Sequence, residues 1–192
     1  MMLDELLPAY DVSAKYEIAV QASAAQTVAA LEHADFSRLR LTTLLMKLRT
    51  LGRKRDHVQH GTQAERLRRA GFVELAFVPR KEIVLGIIGR FWRADSGILK
   101  GLSAKQVIGF HTEGYAKALW NFAVIAESEH TSRLTTETRI QAFGRSARWK
   151  LRAYWLVIGF FSGLIRKEML AMVKRTAEQA RSDLLPADIE LM

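Results

Sequence analysis

The sequence predicts an α+β domain in which an antiparallel sheet grips one long C-terminal helix and leaves an apolar cavity between them. Three observations predict it. Ser146–Ala180 runs 35 residues without proline, enough for a helix of about 50 Å at about 1.5 Å per residue. Within it Leu151, Tyr154, Ile158, Phe161, Ile165, Met169 and Met172 recur at steps of three and four, one apolar stripe. Upstream, β-rich segments alternate between apolar and polar residues and are separated by turn residues.

Tyr10–Val20 is the first strand. Tyr10, Val12, Ala14, Tyr16, Ile18 and Val20 share one face, and Asp11, Ser13, Lys15 and Glu17 the other. Ser23 with Gln26 matches a capping box and opens a short helix to about Glu32. Asp35 is placed to cap a second helix, with Leu41, Leu44, Leu45, Leu48 and Leu51 inward and Gly52 ending it. Gly52–Gly61 reads as an exposed basic loop, and Thr62–Ala70 as a short basic helix.

Phe72–Val78 and Glu82–Trp92 form strands around a break at Pro79-Arg80-Lys81. The second is apolar on both faces, so it should be central and covered on both sides. Asp95-Ser96-Gly97 is turn chemistry. Gln106–Phe110 reads as a weaker strand, Ala116–Ile125 as a strong one, and Ser132–Phe143 alternates again before Gly144. Ser146 is the expected cap of the long helix. The count is one strand, two short helices, five or six further strands, then the helix, six to seven strands in all. Residues 1–181 form one domain, 52–70 a basic insertion, and 182–192 an acidic tail.

Composition narrows the chemistry. The chain has no cysteine, so disulfides, thiolate catalysis and Cys-ligated metals are excluded. The longest uncharged run in the helix, Ala153–Ile165, falls short of the roughly 20 residues of a membrane span. With no signal-peptide pattern at the N-terminus, the expected location is cytoplasmic. The net charge of +9 comes from two segments, Arg38–Arg69 and Arg145–Arg181, at local +8 and +7. They read as solvated helix faces or as a surface for an anionic membrane or acidic partner. Nucleic acid is not expected, because the first basic segment has no interleaved aromatics on which bases could stack.

The stretches LPAYDVSAKYEIAVQASAAQTVAAL, FVELAFVPRKEIVLGIIGRFW, GYAKALWNF, RLTTETRIQAF and YWLVIGFFSGLIRKEML, in that order, resemble the START-like helix-grip superfamily, also called SRPBCC, of polyketide cyclases and lipid-transfer domains. The resemblance spans nearly the whole chain and looks closest to uncharacterised bacterial members. It implies a curved sheet wrapped around the C-terminal helix, enclosing a pocket for a small hydrophobic or aromatic ligand such as a lipid, polyketide or isoprenoid-like compound. No cofactor is expected.

Aromatic residues concentrate in the central strands and the helix, which from composition alone reads as a plain core. With the resemblance, Trp92, Trp120, Phe122, Tyr154, Ile158 and Phe161 become the expected pocket lining. Strand alternation puts Trp120 and Phe122 on one face and Asn121 on the other. Polar pocket groups, and with them an enzyme reading, would come from Arg90, Asn121, Glu137 and Arg139. Glu137 and Arg139 also read as part of a solvated face with Arg133 and Gln141. No catalytic set is assigned. There is no GxSxG, GxxxxGK[ST], GxGxxG or HExxH, and His57 with His60 lacks the ligands for a metal. A second row on the helix, Trp149, Ala153, Leu156, Phe160 and Leu164, lies roughly opposite the first. With the GxxxG spacing of Gly159 and Gly163 it reads as a tight sheet contact, a homodimer seam, or a membrane-docking face beside Arg166, Lys167 and Lys174.

Overall fold

The computed structural model describes residues 1–36 and 63–182. In chain order these form α1 (Met2–Leu6), β1 (Val12–Val20), α2 (Ala24–Glu32), α3 (Gln63–Ala70), β2 (Val73–Val78), β3 (Glu82–Gly89), α4 (Ala104–Ile108), β4 (Ala116–Ala126), β5 (Ser132–Ala142) and α5 (Arg145–Ser182). The strands make one antiparallel sheet in the order β1-β5-β4-β3-β2. Among the described residues there are five strands, not six to seven. The expected second helix and the loop 52–61 lie outside the described residues, as does the tail.

Most element choices follow local chemistry. Ser23 and Gln26 form the expected capping box of α2. The β2–β3 hairpin turns through Arg80 at φ 59°, and Ser96 and Gly97 both hold positive φ in the second expected turn. β3 lies between β2 and β4 and is buried on both faces for nearly its whole length, as its two-sided apolar pattern predicts. Gly86 is required there: a Cβ would meet Leu75 at 2.7 Å and Val107 at 2.8 Å.

Three readings are corrected. Gln106–Phe110 is not a strand. Ser103 and Gln106 form a second capping box, and α4 runs from Ala104. The expected strand to Trp92 stops at Gly89, and Arg90–Trp92 turn away. The long helix starts at Arg145, where the Arg148 N–H reaches the Gly144 carbonyl, so Ser146 lies inside the first turn rather than capping it. The sequence also gave no sign of α1.

The two sheet faces carry different partners. On one, α5 packs along β1 and β5 and against α2. On the other, Leu3 and Leu7 of α1 bury against Val84 and Leu119, and α4 covers β2 and β3. Burying two leucines contributes about 1.5–3 kcal/mol each, enough to hold so short a helix.

Candidate functional site

The core beneath α5 is split in two. Towards the C-terminal end of the helix, Met169, Leu170, Val173 and Ala177 bury against Val20, Val28, Phe122, Val124 and Leu134. Towards its N-terminal end, Ala147 and Leu151 bury against Ile87, Ala118, Ile140 and Ala142. From 152 to 168 only Gly163 is fully buried. Tyr154, Trp155, Ile158, Phe161, Ser162 and Ile165 are half-buried. The helix is thus buried against the sheet at both ends, and in its middle it meets the sheet closely only at Gly163, against Tyr16 of β1.

Opposite that middle stretch lie Trp120 of β4 and Thr138 of β5, paired across the ladder. The Trp120 indole N–H donates to the Thr136 hydroxyl at 2.7 Å, which in turn donates to the Asn121 carbonyl at 2.7 Å. Its ring lies 4.9 Å from Phe122 and 6.1 Å from Phe72, and Phe122 stacks on Phe36 at 5.8 Å. A hydrogen-bonded, ring-packed indole is a rigid amphipathic wall.

Arg166 crosses from the helix to this wall. Its guanidinium donates to the Thr138 hydroxyl, to the Ser162 hydroxyl and, at 3.2 Å, to the Ser162 carbonyl. It lies 5.7 Å from the Trp120 ring. Its Nε–H is buried without an acceptor. Arg166 makes no ion pair among the described residues. Burial, opposed in part by Tyr16, pulls its pKa down to about 10. It still carries its proton at neutral pH, so a full charge sits between helix and sheet.

The expected pocket residues fall into three places. Trp120 and Phe122 share the α5-facing side, Trp92 and Tyr154 pack against the N-terminal core, and Ile158 and Phe161 lie half-buried on α5. Asn121, Glu137 and Arg139 come together on the opposite face, away from Trp120. Arg139 donates to Glu137 at 2.6 Å and Asp4 at 2.5 Å, and to the carbonyls of Leu3 and Leu7 at the end of α1. Asn121 donates to Glu82 at 2.7 Å and accepts from the Glu137 N–H at 2.8 Å. Glu137 and Arg139 are buried, not solvated together with Arg133 and Gln141 as expected, because α1 folds over them, while Arg133 is exposed. The cluster fastens α1 to the sheet. The pairs that an enzyme reading required are therefore occupied or apart. Arg90 stands elsewhere, 4.2 Å from the Tyr115 ring, in a cleft of about 400 Å³ shared with Trp92 and Lys150 at the start of α5.

Sequence reasoning missed the inward role of Arg166, which it grouped with surface lysines. Lys167 does lie outward, 5.9 Å from the Tyr16 ring, and Lys174 donates to the Ala19 carbonyl. The signal was available: Ser162 and Arg166 continue from Ile158 at steps of four, on the side that meets the sheet. The second apolar row is largely bare, with Trp149 75%, Leu156 84% and Phe160 68% exposed.

No helix among the described residues is long and apolar enough to cross a membrane, and no group of three or more His, Asp or Glu among them could hold a metal. No family model matches the chain, and no curated protein matches it. Among solved structures it is similar to a conserved protein from Geobacillus kaustophilus at a TM-score of 0.43 and 10% identity, covering 88% of this chain and 97% of that one. It is also similar to an uncharacterized protein from Bacillus thuringiensis at a TM-score of 0.30 and 13% identity, covering 86% and 98%.

Proposed function

We propose that the chain is a START-like helix-grip binding protein that holds a small hydrophobic or aromatic ligand between α5 and the sheet. One observation carries the reading: α5 is buried against the sheet at both ends and, Gly163 apart, has no buried residue between them, where Trp120, Ile158 and Phe161 stand half-buried. An apolar guest there would be removed from water at about 25 cal/mol per Å², offset by its lost motional freedom. The enzyme reading is weaker, because Asn121, Glu137 and Arg139 are bonded to α1 and to one another on the far face.

The test is native mass spectrometry of the chain purified from its host, followed by denaturing extraction. A stoichiometric apolar compound is the expected result. A protein that is empty, with a melting temperature unmoved by lipids and aromatic acids, would overturn the reading.

A second reading rests on a separate observation. Trp149, Leu156, Val157 and Phe160 are exposed, and Arg145, Lys150 and Arg152 on the same half of α5 are exposed beside them. Apolar side chains edged by cations fit an anionic membrane surface. The two readings are compatible, since a carrier of apolar compounds must meet a source of them.

A further inference from the structure

We infer that Arg166 is the anchor for the head group of that ligand, and that the ligand is therefore an apolar monoanion, a carboxylic acid with an aliphatic or aromatic body. The inference rests on the binding reading above and adds the chemical class of the guest.

A guanidinium placed between helix and sheet loses much of its hydration. Proteins meet that loss with a carboxylate, as Arg139 does here with Glu137 and Asp4. Arg166 has no carboxylate partner among the described residues. It has two hydroxyls, one carbonyl and the face of Trp120. Its Nε–H points to no acceptor. A charge held by neutral groups, with one donor left over, is a site waiting for a single negative charge.

The surroundings specify the rest of the guest. Arg166 lies on α5 between the two apolar cores, on the stretch of helix that carries the half-buried Ile158, Phe161 and Ile165. A carboxylate on the guanidinium would project its body along those side chains. Charge-assisted pairing with a planar carboxylate suits the guanidinium fork. One buried cation balances one negative charge, whereas a phosphate dianion would leave the second uncompensated.

The experiment is calorimetric titration of the full chain, stripped of any ligand, with two matched pairs at neutral pH: dodecanoate against dodecanol, and naphthoate against naphthol. Dodecyl phosphate is added as a third head group. The acid of at least one pair should bind about 10- to 100-fold tighter than its alcohol, the span of a charge-assisted hydrogen bond. Arg166→Met should erase that preference and leave alcohol affinity in place, and Arg166→Lys should keep part of it. The acid–alcohol contrast in the unmodified chain stands even where a variant fails to fold. Equal affinity for acid and alcohol, or a preference that survives Arg166→Met, overturns the anchor and leaves the binding reading standing. Tighter binding of dodecyl phosphate overturns the monocarboxylate. Failure of every probe to bind overturns the binding reading and the anchor together.

Discussion

Gly163 shows how one atom positions the long helix. A Cβ there would lie 2.2 Å from the Tyr16 hydroxyl and 3.0 Å from its Cζ. The helix approaches β1 closely because the glycine has no side chain, which is the tight-contact reading of the GxxxG spacing at this position. Gly159 is different, since a Cβ there would meet only Trp155 of the same helix. Alanine normally gains about 1 kcal/mol over glycine in a helix interior, but overpacking costs about 1–3 kcal/mol. We expect Gly163→Ala to destabilise the protein, and to become neutral or stabilising when Tyr16→Phe removes the hydroxyl. Denaturant unfolding of the four chains of this cycle measures the coupling; equal effects in both backgrounds would show that the hydroxyl is not the obstacle. At this scale the sequence was legible where periodicity decides. The strand period put Asn121 opposite Trp120 correctly. It misjudged Glu137 and Arg139, because polar residues at alternate positions look the same whether water or another element covers them. The covering residue, Asp4, is 135 positions from Arg139.

Among the elements, α1 is held by charge as well as by apolar burial. Arg139 closes its last carbonyls and pairs with Asp4, a cation at a helix C-terminus. The hydrogen bond from Arg139 holds the Asp4 carboxyl below its usual range. A depressed carboxyl contributes stability above its unfolded pKa and loses it as pH falls through the folded value. Below about pH 3.8 we therefore expect α1 to loosen first. Asp4→Asn should loosen it at neutral pH. Hydrogen exchange at the Leu7 amide, which donates to the Leu3 carbonyl, reads both; full protection in Asp4→Asn would mean that the leucines hold α1 alone. The five-residue α1 and α4 were hard to see because so short a segment completes barely one period. For α4 the capping box was nonetheless in plain view, in the same Ser-Ala-X-Gln order as at Ser23.

Over the whole molecule, the layered plan of sheet and long helix was readable because alternation and a 3.6-residue stripe are global patterns. Which side of α5 stays bare was not, since that depends on how far the sheet reaches beneath the helix. The exposed row of Trp149, Leu156, Val157 and Phe160 belongs to this scale, as does the net charge of +9. Vesicles of mixed neutral and anionic lipid should bind the chain, weaken as salt is raised, and lose most of the binding in Leu156→Ser/Phe160→Ser. Sedimentation that is equal for neutral and anionic vesicles, or unmoved by the double change, would dismiss the membrane reading. The split core has a mechanical consequence as well. A helix fixed at Ala147–Leu151 and again at Met169–Ala177 is a beam resting on two piers. Gly163 against Tyr16 props the beam between them, so the unpropped span is residues 152–162, where Ile158 and Phe161 stand half-buried. Guests of different thickness could then be admitted by bending the beam, with the strands beneath left as they are.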